Sequence, residues 1–138
     1  MPAQDSIHDA VVRALQKDGW TITHDPYTVK FGGVRVHADL AAEKVLAAER
    51  GADLIAVEIK SFVGASPVHD FEEALGQFLL YLALMKRADP TRKLYLAIDS
   101  GTHETLFARE AIRVVVEDYA VARVVVNLAR EEVASWNG

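Results

Sequence analysis

Chemistry in this sequence centres on Glu58 and Lys60, within Ala56-Val57-Glu58-Ile59-Lys60-Ser61. In a β-strand, residues two apart share a face, so Val57 and Ile59 enter one core while Glu58 and Lys60 project together from the other side. A further carboxylate can reach them across a hairpin. The runs Glu43 to Glu49 and Leu54 to Phe62 flank Arg50-Gly51-Ala52-Asp53, and glycine between two such runs signals a turn. With the turn centred on Gly51-Ala52, Glu43 is set opposite Lys60 and Val45 opposite Glu58. Asp39 has the same parity and reaches the cluster if the strand bends near Ala41-Ala42; spacing leaves both acids open.

Two carboxylates at a strand pair suit a hard divalent cation such as Mg²⁺, or Mn²⁺ in its place, which takes oxygen ligands and keeps several waters. A neighbouring lysine can orient or deprotonate an attacking water while the cation stabilises charge growing on a phosphoryl oxygen. That chemistry is phosphodiester hydrolysis. With no cation, the same pair is an ion pair on an amphipathic strand, worth at most about 1 kcal/mol.

Other chemistries fare worse. With no cysteine, thiol catalysis, cysteine zinc sites and disulfides drop out, and a reducing compartment is expected. His24, His37, His69 and His103 show no H-x-x-x-H spacing for zinc. Gly32-Gly33 lacks a Walker lysine or G-x-G-x-x-G and reads as a turn, and Ser61 and Ser66 lack a nucleophile elbow.

The elements that must position Glu58 and Lys60 follow from periodicity. Asp5 to Asp18 repeats apolar residues at helical spacing and stops at Gly19; Trp20 to His24 is β-rich, and Asp25-Pro26 turns the chain. Val34 to Leu40 alternates as a strand before the hairpin. Asp70 to Arg87 is a long helix with Phe71, Phe78, Tyr81 and Leu82 as core. Leu94 to Ile98 reads as a buried strand, Glu104 to Glu117 as a helix, and Val121 to Val126 and Glu132 to Trp136 as strands. Exposed parts of the long helix, or the apolar strand around Val133 and Trp136, could instead form a partner surface. The predicted class is α/β, a sheet with helices on its faces.

Length and charge bound the function. The 138 residues fit one domain, 1–138, and 51% are hydrophobic against 25% charged, as in globular proteins. No apolar run reaches the roughly 18 residues of a membrane span, so no membrane partner is expected. The N-terminus has no signal-peptide pattern, and a cytoplasmic location is expected. A net charge of −5 argues against a protein that coats nucleic acid generally, without excluding a local DNA site.

The order helix, three-stranded meander, helix, strand, with an acid before the hairpin turn and Glu-x-Lys after it, resembles the PD-(D/E)xK restriction-endonuclease-like superfamily. Further segments resemble the XisH family, the fdxN-element excision controlling factors: Asp18-Gly19-Trp20-Thr21-Ile22-Thr23-His24-Asp25-Pro26, Phe31-Gly32-Gly33, Ala42-Glu43-Lys44, Ala56 to Phe62, Ala74-Leu75-Gly76-Gln77-Phe78 and Leu94-Tyr95-Leu96-Ala97. This resemblance spans nearly the whole chain. It implies a restriction-endonuclease-like αβββαβ core, a central mixed β-sheet flanked by α-helices.

The same resemblance implies a role in DNA excision beside a small XisI-like companion. By the superfamily's pattern, Asp39 or Glu43 and Glu58 would be metal ligands, Lys60 catalytic, and Gln77 the helix glutamine supporting the site. The proline that often precedes the first acid is absent, since Ala38 and Ala42 stand there, and Ala41 occupies a position where glycine is expected. Gln77 otherwise reads as a helix amide satisfied locally, and His8 as a structural hydrogen-bonding residue rather than an extra site group. A non-catalytic regulator of the same fold, binding an XisI-like partner, a recombinase or DNA, is the alternative; an exposed edge strand allows a homodimer.

Overall fold

Val11, Ala14 and Leu15 form one buried stripe of helix α1 (Ala3–Lys17), which closes at Gly19, whose φ of +95° suits a helix-terminating glycine. The computed structural model describes residues 3–47 and 51–138, with side chains over 7–44 and 51–138. Strands β1 (Thr21–His24), β2 (Tyr27–Phe31), β3 (Val34–Ala38), β4 (Leu40–Ala47) and β5 (Gly51–Ile59) follow. Helix α2 (Pro67–Ala88) leads to β6 (Arg92–Asp99), then short α3 (Ser100–Glu104), a 3-10 turn at Leu106–Ala108, α4 (Glu110–Asp118), β7 (Arg123–Asn127) and β8 (Glu132–Asn137).

Six strands form a mixed sheet in the order β1-β4-β5-β6-β7-β8, with β5, β6 and β7 parallel to one another and the outer pairs antiparallel. Both crossovers, β5-α2-β6 and β6-α4-β7, step the same way across the sheet, so one handedness puts α2 and α4 on the same face. Phe71, Ala74, Phe78, Ile112 and Val116 pack there with Ala56, Leu94 and Leu96. Helix α1 covers the opposite face, against Ile55, Val57, Ala97 and Val124. The fold is thus a mixed α/β one, a central mixed sheet flanked by helices. Phe78 is fully buried, and Phe78→Ala would cost about 3–5 kcal/mol.

Three expectations change. Tyr27–Phe31 is a strand that pairs with Val34–Ala38 as a separate two-stranded sheet, with Tyr27, Val29, Val36 and Ala38 turned into the α2-side core. The helix expected over Glu104 to Glu117 is broken, because Arg109 is extended (φ −67°, ψ 136°) between the 3-10 turn and α4. That break lets Leu106 and Phe107 enter the core.

The third change is register. Leu40 faces Val57, Ala41 faces Ala56 and Glu43 faces Leu54, not Lys60, a displacement of six positions along β5. An even displacement preserves parity, so Glu43, Asp39, Glu58 and Lys60 still share a face. The cause is Gly51. It is the first residue of β5, paired with Ala47 at φ +77°, rather than the middle of the turn. Glu49 and Arg50, expected to end the strand and open the turn, lie outside the described residues.

Candidate functional site

Asp39 stands at the joint between β3 and β4, where the chain leaves the small sheet for the large one. β5 runs past the start of β4, and the Asp39 carboxylate replaces the missing ladder acceptor: Ile59 N–H donates to Asp39 Oδ2 at 2.7 Å. On the other side of β5, Lys60 N–H donates to the Ala97 carbonyl at 3.0 Å. Glu58 and Lys60 are therefore held from both sides, facing α2. Glu43, four residues further along β4 and roughly 13 Å away at strand rise, stays outside this cluster between Thr21 and Leu54.

Helix α2 supplies the roof. Ser66 caps it by accepting from His69 N–H at 3.2 Å, and Pro67 follows in the first turn, where it needs no helical partner. This start sets Gln77 over Lys60, whose Nζ donates to Gln77 Oε1 at 3.0 Å. One turn further, at i+4, the Tyr81 phenol has its pKa raised by burial and by the negative fields of Glu58 and Asp39. Sequence reading assigned Tyr81 and Leu82 to the core. Both are half-buried at its margin, while Phe71 and Phe78 are buried.

Glu58 is the electrostatic anomaly. It is 8% exposed, and burial, followed by the neighbouring Asp39 carboxylate, outweighs Lys60 and pushes its carboxyl up to about 8. Its Oε1 is buried and has no hydrogen-bond partner among the described residues. Lys60 alone does not offset the two carboxylates, and a divalent cation would supply the further positive charge. The donor set fits Mg²⁺, which needs few protein ligands because it retains waters. No described group of three His, Asp or Glu side chains forms a fuller metal cage.

These residues open into a pocket of about 530 Å³, bounded by Asp39, the Glu58–Ser61 segment and, from α1 and the β1–β2 turn, Ile7, His8 and Asp25. His8 Nε2 lies 2.8 Å from Asp25 Oδ2 across the rim. The structure thus joins Asp39, Glu58, Lys60 and Gln77, leaves Glu43 apart, and adds Tyr81 and Asp25. The i,i+4 spacing of Gln77 and Tyr81 was the signal that could have found Tyr81. Trp136 is half-buried, its ring meeting Tyr95 at 4.9 Å and Trp20 at 5.6 Å while Nε1 donates to Asp18. No described helix is long and apolar enough to cross a membrane.

A mixed α/β domain whose pocket sets Asp39 and the buried Glu58 beside a lysine is the class that fold and geometry define. The XisH protein family profile matches residues 1–134, and the chain belongs to that family. It is similar to an XisH family protein from Nostoc punctiforme PCC 73102, with 36% identity and a TM-score of 0.89 over 97% of this chain and 100% of that one. It is equally similar to a fdxN element excision controlling factor protein from Anabaena variabilis, 36% identical with a TM-score of 0.89 over 97% of this chain and 99% of that one. No curated protein matches it.

Proposed function

We propose that this protein is an excision controlling factor with a Mg²⁺-dependent phosphodiesterase site of the restriction-endonuclease-like kind, acting on DNA beside a small XisI-like companion. The observation that carries the chemical part is the buried, unpartnered Glu58 Oε1 next to Asp39 and Lys60. The family and its relative's description support the excision part.

Asp39 and Glu58 would hold the cation, which when bound supplies positive charge to the phosphoryl oxygens and acidifies water. Asp39 is kept in place by Ile59 N–H, so its orientation does not depend on the cation. Lys60 uses one of its three N–H donors on Gln77 and has two left to hold a water or a phosphoryl oxygen in line. Gln77 is a positioning residue, since its carbonyl fixes the ammonium. The depth of Glu58 excludes bulk water from its carboxyl and makes each of these charges count for more than at the surface.

A second reading has its own observation. With a net charge of −5 and two converging carboxylates, the chain would work as a non-catalytic regulator through its companion, a recombinase or DNA. The deciding experiment is cleavage of single-stranded, duplex and branched DNA by the protein, alone and with its companion, in Mg²⁺ or Mn²⁺ against chelator. The nuclease reading expects metal-dependent cutting that Glu58→Ala and Lys60→Ala abolish. Absence of cutting under all those conditions, or cutting that survives both substitutions, overturns it.

A further inference from the structure

Two further buried polar atoms lack a hydrogen-bond partner among the described residues, His103 Nδ1 and Arg123 Nε, and both residues line one cavity. It measures about 410 Å³ and lies between α3, the 3-10 turn, α4 and the start of β7, away from Asp39 and Glu58. Arg113 of α4 stands at its exposed edge. Phe107 forms part of the wall, with the Arg123 guanidinium carbon 6.0 Å from its ring centroid. Burial lowers the pKa of Arg123, only partly offset by Glu117.

Arg123 as a whole is half-buried, but its Nε–H is buried without an acceptor among the described residues, a loss of hydration that natural interiors rarely leave uncompensated. Arg123 cannot shed its charge as a carboxyl can, and Glu117 acts on it only through space, which leaves its N–H groups open to an acceptor from outside. Phe107 lies beside the guanidinium, whose N–H groups form a planar fork suited to a planar or tetrahedral oxyanion. Glu104 and Glu117, both exposed at the rim, repel anions in proportion to their charge and so disfavour a polyanionic strand more than a small, discrete anion.

We infer that this cavity is a binding site for a small oxyanion, a phosphoryl or carboxylate group, held by Arg123 and His103 with Arg113 at the mouth. The test is NMR titration of the full-length protein with inorganic phosphate and, separately, with succinate, against sodium chloride at matched ionic strength. The Arg123 Nε–H and His103 ring signals should shift saturably with at least one oxyanion and not with chloride; the anion that saturates first identifies the group. Arg123→Gln should weaken binding by about tenfold, the loss implied by one charge-assisted hydrogen bond. Arg113→Gln, at an exposed position that leaves the fold intact, should weaken it several-fold. Linear shifts matching those in chloride would overturn the inference. So would a short single-stranded oligonucleotide that shifts the same signals at lower concentration than either small anion.

Discussion

At the pocket between α1, the β4–β5 pair and α2, the atom without a partner is an oxygen, Glu58 Oε1; in the cavity beneath α4, the two such atoms are nitrogens, His103 Nδ1 and Arg123 Nε. The two regions respond differently because their groups do. A carboxyl can escape burial by taking a proton, and Glu58 does so up to about pH 8. A guanidinium has no such escape. The first pocket can therefore neutralise its own carboxyl by protonation, and under the proposed function a cation would take that proton's place, while the second carries its charge throughout. Phe107 of the second packs edge-on against Phe62, two residues beyond Lys60.

The largest effect that would break this contrast is catalytic. Glu58→Ala and Lys60→Ala should each lower Mg²⁺-supported DNA cleavage by at least about 100-fold, the usual scale for a preorganised electrostatic group, measured as single-turnover rates. Retention of either rate would remove the distinction between the pockets.

Next in size is pH. Glu58 releases its proton near 4.5 when unfolded and near 8 when folded, so the folded, metal-free protein binds more protons between those values. Stability from this group is full below about pH 4.5, falls as pH rises, and is lost above about 8. Glu58→Gln should flatten that decline in denaturant titrations from pH 5 to 9. Because a cation must displace the same proton, apparent Mg²⁺ affinity should rise by about tenfold per pH unit until about 8 and then level off.

A smaller effect sharpens the role of the roof. Gln77→Leu should reduce kcat by about tenfold with Mg²⁺ affinity unchanged, because it releases the Lys60 ammonium without touching either carboxylate; Gln77→Glu, which keeps an acceptor, should recover part of the rate. The smallest effect expected is at Glu43. Glu43→Gln should leave metal affinity within about twofold, as measured by calorimetry, since the register sets it opposite Leu54.

What was legible in the sequence follows the same physics. Parity was legible, because side chains alternate along a strand whatever the turn, so Glu58, Lys60, Asp39 and Glu43 were correctly given one face. Register was not, because it depends on where the chain reverses. Gly51 looks like a turn centre, yet its positive φ serves the first position of β5. Which acid meets Glu58 was therefore open in the sequence, and the Asp39 to Ile59 hydrogen bond, rather than a strand bend near Ala41-Ala42, is what brings Asp39 there.

Tertiary contacts hid the remainder. Tyr27–Phe31 alternates as well as its partner and fits between the Asp25-Pro26 and Gly32-Gly33 turn signals, but so short a run becomes a strand only by pairing with Val34–Ala38, a contact the pattern does not display. The apolar pattern from Glu104 to Glu117 is helical, and the break at Arg109 follows from drawing Leu106 and Phe107 under the sheet. The second cavity had no sequence signal, since His103, Arg113 and Arg123 are brought together only by that break and by the start of β7.

The central claim, that Glu58 and Asp39 await a divalent cation, is tested most directly by calorimetric titration of Mg²⁺ into the wild type and Glu58→Ala at pH 7, in two buffers of different ionisation enthalpy. The account predicts saturable binding to the wild type with release of about one proton, and neither binding nor release in Glu58→Ala. No saturable heat from the wild type, or the same binding and proton release in both proteins, would contradict it.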